Sequence, residues 1–248
     1  MILQDDALVL TRLPHGENGA VVRFLTFGNG LRAAYVPGAR GRGKRALLQP
    51  GNRVALGLKA RGEAALPTAT VELVQSRALL AFSSDTAAAL AWLSELTATA
   101  LTEAVPQARL ADALDALLGG MAAESPDWGA TLARYELMLL EETGFGLDTS
   151  ACAMGGSPDD LGFVSPKTGR AVSRARAAGQ AWEGQLLALP AFLLDGSAAQ
   201  AADTAAGLRL TGHFLARHWF ADHPKLEPLR MRMVGLLNGT SQEQLAGG

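Results

Sequence analysis

The sequence predicts an α+β protein of two domains, a small five-stranded β-barrel followed by an α-helical domain. The first 75 residues contain short runs of Val, Leu, Phe and Thr that are separated by Gly, Pro and Asn. From residue 83 onward, apolar residues recur at helical spacing instead. The second half is also rich in Ala and Leu, which favour helix. We place the domains at residues 1–78 and 79–248, with an irregular insertion at residues 144–176.

Five strands are predicted in the first domain, at residues 7–13, 19–27, 31–37, 52–60 and 68–76. Gly28, Asn29 and Gly30 indicate a hairpin between the second and third, because glycine and asparagine tolerate positive φ. In the fourth run, apolar residues alternate with small or charged ones, so one face is apolar. Five short strands are too few for a sandwich and favour a small closed or partly open barrel such as an OB-fold.

A basic segment lies between the third and fourth strands, at residues 36–51. It carries Arg40, Arg42, Lys44 and Arg45 and no acidic residue, and its glycines allow close approach to a ligand. Residues 1–75 hold ten Lys and Arg against five Asp and Glu, whereas the remainder holds twelve against nineteen. This asymmetry favours a basic module for a polyanion on an acidic body. A solvated surface loop is the alternative interpretation of the segment.

The helical domain is predicted from the periodicity of its apolar residues. A first helix follows the N-cap candidates Ser83 and Ser84, and a small hairpin is expected at residues 165–169. The remaining helices are predicted at residues 109–123, 128–143, 175–187, 199–220 and 229–237.

Enzyme motifs are missing from the sequence. It has no phosphate-cradling Walker pattern and no nucleophile elbow. His213, His218 and His223 are spaced by five, which spoils any shared ligand face on a helix. Cys152 is the single cysteine, so a reducing, cytoplasmic setting is expected, and a catalytic thiol is the alternative that thiol alkylation would reveal. We predict no enzyme, and no apolar run approaches the ~18 residues of a membrane span.

Two groups of side chains are candidates for binding. Arg209, His213 and Arg217 lie four residues apart beside an apolar stripe, so they could hold an acidic, apolar peptide end, or they could form a solvated helix face. Three aromatic residues of the first domain could stack nucleic-acid bases, or they could belong to the core: Phe24, Phe27 and Tyr35.

The order of these features resembles the RecO family of bacterial DNA repair proteins over nearly the whole chain. The matching stretches are LVLTRLPHGENGAVVRFLTFGNGLRAAYVPGARGRGKRALLQPGN, LARYELMLLEETGFGLDTSACAMGG, FVSPKTGRAVS, LRLTGHFLARHW and KLEPLRMRM. The resemblance implies an N-terminal OB-fold, a helical C-terminal domain and no enzymatic turnover. A protein-interaction adaptor whose barrel is only a docking module is the alternative function.

The resemblance also implies partners and a location. RecO-like proteins bind single- and double-stranded DNA, anneal complementary strands and work with RecR and RecF. They help RecA load onto strands coated by single-stranded DNA-binding protein. We expect a cytoplasmic, nucleoid-associated protein with no membrane contact. The DNA-binding candidates are the cations of the first domain: Arg12, Arg23, Arg32, Arg40, Arg42, Lys44, Arg45, Arg53 and Lys59.

The helical domain is expected, by the same resemblance, to bind the acidic C-terminal tail of single-stranded DNA-binding protein. Arg134 falls within the matching helix, and we add Arg209 and Arg217 to this tail site from their spacing.

Some RecO-like proteins carry a four-cysteine zinc site after the third long helix. Here Cys152 matches the first position, but Gly155, Ser173 and Arg176 stand near the other three. One sulfur cannot build a tetrahedral structural site, so we predict no zinc and no other cofactor. The insertion at residues 144–176 is then an irregular, zinc-ribbon-like remnant without its cysteines.

Overall fold

The computed structural model describes residues 2–60, 62 and 65–246. The chain divides into two compact units, residues 1–125 with 228–236 and residues 126–227 with 237–248. Among the described residues, no helix is both long and apolar enough to cross a membrane. The sequence predicts that the domains 1–78 and 79–248 fold independently, and this boundary stays a prediction.

The first unit contains a closed barrel of five strands, which confirms the predicted fold of this region. The order around the barrel is β1-β2-β3-β5-β4, and every pair is antiparallel except β3 with β5. Inward-facing Val, Leu, Ala and Phe side chains fill its interior. The strands are β1 (Ile2–His15), β2 (Gly19–Thr26), β3 (Gly30–Val36), β4 (Arg53–Lys59) and β5 (Thr68–Gln75).

The first strand begins earlier than the predicted residue 7. Its two aspartates are accommodated because each finds a partner. The Asp6 carboxylate lies 2.8 Å from Nη2 of Arg53, on the neighbouring strand. The Asp5 carboxylate accepts hydrogen bonds from the Gly28 amide at 2.9 Å and from Asn29 Nδ2 at 2.7 Å. These contacts also tie β1 to the turn after β2.

Three helices complete the first unit, together with residues 228–236. The two longer ones match the predictions and pack buried leucines and Trp92 into a second apolar core beside the barrel. The third is short and lies inside the basic segment, which was predicted as a loop. The helices are α1 (Arg42–Leu47), α2 (Ser84–Ala100) and α3 (Ala108–Ala122).

The second unit is mostly helical and carries one small sheet of order β7-β6-β8. Its helices are α4 (Trp128–Glu142), α5 (Arg174–Ala177), α6 (Phe192–Asp195), α7 (Ala201–Leu215) and α8 (Leu226–Ala246), and the last of these runs through both units. The end of α7 continues as a π-helical turn, Ala216–Phe220. The strands of the sheet are β6 (Leu161–Val164), β7 (Ala171–Ser173) and β8 (Leu187–Ala188).

The predicted helix at residues 175–187 is wrong. Helix α5 covers only four residues, because Gly179 adopts a left-handed φ of 74° that ends any helix there. The chain then forms a 3₁₀ turn, Glu183–Gln185, and enters β8, where Leu187 pairs with Val164. The hairpin expected at residues 165–169 does form, between β6 and β7.

Candidate nucleic-acid interface

The basic segment is anchored to the barrel at both of its ends. Ala39 and Leu48 are fully buried in the barrel core, whereas residues 40–46 between them are exposed. Within that interval the chain forms α1, which is bounded by backbone bonds from Arg45 N to Gly41 O at 2.9 Å and from Leu48 N to Lys44 O at 3.0 Å. The cations therefore sit on an ordered turn of the barrel surface and not on a wholly irregular loop.

Asn52 fixes the end of α1, a role that the sequence pattern did not reveal. Its buried side chain donates from Nδ2 to the carbonyls of Ala46 and Leu47, at 3.0 and 3.1 Å. Its Oδ1 accepts from the Arg77 amide at 2.8 Å. These bonds satisfy two carbonyls that the end of a helix leaves without intrahelical partners. In the sequence, Asn52 was predicted only as the first residue of the fourth strand, at residues 52–60.

The side chains of the basic segment are largely unengaged. Arg40, Arg42 and Arg45 are exposed, and they make no side-chain hydrogen bond or ion pair within residues 2–60, 62 and 65–246. Lys44 donates from Nζ to the Pro37 carbonyl at 2.7 Å, which closes the segment on itself. As far as the described residues are concerned, three guanidinium groups are thus available to pair with an incoming anion without breaking an ion pair.

Other cations of the predicted DNA-binding set contribute to the fold. Arg53 lies between two carboxylates, those of Asp6 at 2.8 Å and Asp115 at 3.1 Å, and its guanidinium lies 4.5 Å from the ring centroid of Phe27. The hydrogen bonds that Arg53 donates to Asp6, assisted by the charge of Asp115, outweigh burial and raise the pKa of Arg53 above its ordinary value. Arg53 is therefore already neutralised.

The four remaining barrel cations fall into two pairs. Arg23 donates to the Ala98 carbonyl at 2.7 Å, and Arg32 donates to the Asn29 carbonyl at 3.2 Å. Arg12 and Lys59 are exposed on β1 and β4. The structure thus brings together the cations of residues 40–45 but distributes the rest over the barrel.

The three aromatic residues of the barrel, for which base stacking and core packing were both considered, lie in different environments. Phe24 is fully buried in the core, so it cannot stack on a base. Phe27 lies against Arg53, and the Tyr35 ring meets His15 edge-on at 5.9 Å.

An acidic groove occupies another part of the barrel surface. It has a volume of about 380 Å³ and runs along β1, β4 and β5, where Asp5, Asp6 and Glu72 line it. Although Asp6 is paired with Arg53, the carboxylates of Asp5 and Glu72 repel phosphates, so charge disfavours nucleic acid in this groove.

The predicted tail-binding arginines have different environments in the second unit. Arg134 donates to the carbonyls of Phe192 at 3.2 Å and Ser197 at 2.6 Å. Arg217 donates to the carbonyls of Pro166 at 3.3 Å and Lys167 at 2.9 Å. Arg209 is exposed on α7. Two of the three therefore hold neighbouring loops and retain only part of their donors for a partner.

Cys152 is buried in a hydrogen-bonded pocket near the β6–β7 sheet. Burial opposes ionisation, but amide donors from Ser173 at 3.2 Å, Met154 at 3.4 Å and Gly156, with the Ser173 hydroxyl at 3.6 Å, lower the pKa of the thiol to about 7. Gly155 adopts φ of 68°, and Arg176 donates to its carbonyl at 3.4 Å.

Within the part of the chain that the structure describes, no three His, Cys, Asp or Glu side chains are grouped to hold a metal ion. The prediction of no zinc stays a prediction.

Comparison with known proteins identifies the family. The family model Recombination protein O N terminal matches residues 1–77, and Recombination protein O C terminal matches residues 82–227. A protein of Phenylobacterium zucineum is 42% identical over 98% of both chains. One of Rhodospirillum rubrum is 43% identical over 93% of this chain and 94% of its own.

A third relative, from Caulobacter vibrioides, is 42% identical over 95% of this chain and 96% of its own. All three relatives are named DNA repair protein RecO, which supports a role in DNA repair. The two matched halves and the extent of these alignments show that the chain belongs to the Recombination protein O family.

Proposed function

We propose that this protein is a recombination mediator that binds single- and double-stranded DNA through the basic segment of its barrel and anneals complementary strands. The observation that supports this most strongly is the group of exposed guanidinium groups of Arg40, Arg42 and Arg45, which pair with no described residue and lie on an anchored turn. Phosphate contacts from such groups fix a strand without reading its sequence. The bases of a bound strand therefore stay available for pairing.

Annealing follows from the same charges. Two single strands repel each other through their phosphates, and each phosphate that a cation neutralises also releases a condensed counterion. A compact turn with three free guanidinium groups and Lys44 lowers the repulsion between two strands held beside it. Such a mediator needs no catalytic group.

The partners of the mediator are proposed from its family. We propose that it acts with RecR to help RecA load on strands coated by single-stranded DNA-binding protein, whose acidic tail meets the second unit near Arg134, Arg209 and Arg217. Exposed Arg209 and the remaining donors of the other two arginines support the charge of that site. A cytoplasmic, nucleoid-associated location accompanies this role.

A protein-interaction adaptor is the second candidate function, and the acidic groove is the observation that favours it. A groove lined by Asp5, Asp6 and Glu72 suits a basic segment of a partner protein. The adaptor predicts tight protein binding with little salt-sensitive affinity for DNA.

Strand annealing by two charge-matched double variants tests the proposal. Arg42→Ala with Arg45→Ala removes two cations from α1, whereas Arg109→Ala with Arg232→Ala removes two exposed cations elsewhere in the first unit. We expect the α1 pair to slow annealing of complementary oligonucleotides at least tenfold and the control pair to leave it nearly unchanged. Equal rates for both pairs would contradict the assignment, and a wild-type protein that neither binds nor anneals DNA would favour the adaptor.

A further inference from the structure

The end of helix α7 presents a group of side chains of which the proposed function uses only Arg217. The helix there changes to a π-helical turn, and such turns occur often at functional sites because they redirect side chains. Arg217 in this turn holds the β6–β7 hairpin through the carbonyls of Pro166 and Lys167. His213, one turn earlier, places Nε2 3.1 Å from the same Pro166 carbonyl. The hairpin tip is thereby fixed beside the π turn.

An aromatic stack lies at the same π turn. The rings of Phe145 and His218 are nearly parallel, with centroids 3.9 Å apart and planes inclined by 19°. Trp219, which is largely buried, supports Phe145 edge-on at 5.3 Å. Phe145 remains 40% exposed, although it is a large apolar residue. The result is an aromatic platform in which Phe145 packs against His218 and Trp219 and keeps part of its surface exposed.

Cations flank this platform. Lys167 is exposed at the hairpin tip, and only its backbone carbonyl is used by Arg217. Arg217 donates its two carbonyl bonds from Nη1 alone, so its other nitrogen donors remain for a ligand. The nearby Arg170 is offset by Asp148, whose carboxylate lies 3.3 Å away, and it is not counted.

We infer that this ring-and-cation patch, formed by Phe145, Lys167, Arg217 and His218, binds single-stranded nucleic acid. One base stacks on the exposed face of Phe145, and adjacent phosphates pair with Lys167 and Arg217. The inference rests on the proposed function and extends it, because it gives the second unit a strand-binding patch independent of the barrel segment.

The chemistry of the patch favours a nucleic acid over an acidic peptide. A flat ring with cations beside it is how proteins bind single strands without sequence preference, since every base has a π-face. An acidic peptide would instead be held by a pocket for its apolar side chain beside the charges. Phe145 offers a partly exposed ring, so stacking is the interaction that the patch provides.

The test uses the full chain with Arg40, Arg42, Lys44 and Arg45 all changed to Ala, which removes the barrel segment from the measurement. This variant is titrated into a fluorescent 20-nucleotide oligodeoxythymidine at low salt, and the fluorescence anisotropy of the oligonucleotide gives the affinity. We expect residual binding that falls about tenfold with Phe145→Leu, which keeps an apolar side chain but removes the ring, and falls similarly with Lys167→Glu. The control Lys225→Glu, an exposed lysine of the same unit, should change the affinity less than twofold.

An abasic oligonucleotide of the same length separates stacking from charge. Binding of this probe should fall with Lys167→Glu but not with Phe145→Leu. Because the Lys167 side chain is exposed, a loss of binding in that variant cannot arise from a collapsed core, and a thermal melt checks the Phe145 variant.

Two results would overturn the inference. The first is that no binding survives removal of the barrel cations, or that neither patch variant alters it. The second is that the patch variants weaken binding of an acidic peptide ending in phenylalanine while leaving oligodeoxythymidine binding intact. If removal of the barrel cations leaves the affinity unchanged but the patch variants lower it, the proposed barrel site fails while the patch stands.

Discussion

Two groups of cations in the first unit have opposite roles. One group is exposed and pairs with none of the described residues: Arg40, Arg42 and Arg45. The other group consists of Arg53 and Arg77, which share the carboxylate of Asp115. The first group can pair with phosphates, and the second is already neutralised within the fold. The availability of a positive charge is thus decided by whether a carboxylate lies within about 3 Å of it, and a count of cations does not reveal this.

The largest effect is expected from a substitution that removes the carboxylate shared by Arg53 and Arg77. In Asp115→Ala, the nearly buried Arg77 loses the carboxylate that lies 2.8 Å from its Nη2, and Arg53 loses one of its two partners. An uncompensated buried charge costs about 3 kcal/mol, so the free energy of unfolding in urea should fall by that amount. Asp112→Ala, an exposed position on the same helix, is the control and should change it by less than about 0.5 kcal/mol. Similar values for the two variants would show that the shared carboxylate does not hold the fold.

The second prediction concerns Asn52, which fixes the end of α1 in the basic segment. Asn52→Ala leaves the Arg77 amide and the carbonyls of Ala46 and Leu47 without their partner. We expect a loss of about 2 kcal/mol in unfolding free energy, together with weaker single-stranded DNA binding, because α1 is no longer fixed. Gln49→Ala, at an exposed position three residues earlier, is the control for both measurements. Unchanged DNA affinity in the Asn52 variant would mean that the cations do not depend on an ordered α1.

The smallest effect concerns Cys152. Its thiol has a pKa of about 7 in the folded chain, lower than its ordinary value, so folding favours the thiolate. The resulting stability is present above the ordinary thiol pKa and is lost as the pH falls through about 7. The difference in unfolding free energy between the wild type and Cys152→Ser should therefore grow between pH 6.5 and 9. DNA binding should not change. A pH-independent difference would contradict the hydrogen-bonded thiolate, and loss of DNA binding would support a functional thiol.

The barrel could be predicted from the sequence because its strands alternate and are separated by turn residues. The start of β1 could not be predicted, because aspartates disfavour a strand unless they have partners. The partners of Asp6 and Asp5, Arg53 and Asn29, come from other parts of the sequence. The failed helix at residues 175–187 has the same origin. Its Ala and Arg content favours helix locally, but Gly179 and the pairing of Leu187 with Val164 decide the outcome.

The candidate site was only partly predictable. The basic segment could be predicted because its four cations lie within six residues of the sequence. Neither α1 nor its anchor was found, because Asn52 bonds to residues five and six positions earlier and to Arg77 far along the chain. The engagement of Arg53, Arg134 and Arg217 was likewise invisible, since each partner comes from a distant stretch.

The salt dependence of single-stranded DNA affinity tests the central claim most directly, in the wild type, in the variant with Arg40, Arg42, Lys44 and Arg45 all changed to Ala, and in Arg53→Ala. Each phosphate contact contributes about −0.7 to the slope of log affinity against log salt. We expect the fourfold variant to lose a slope of about 3, and Arg53→Ala to keep the wild-type slope because Arg53 is already paired. An unchanged slope in the fourfold variant, or an equal loss in Arg53→Ala, would contradict the claim that the exposed cations of the basic segment bind the strand.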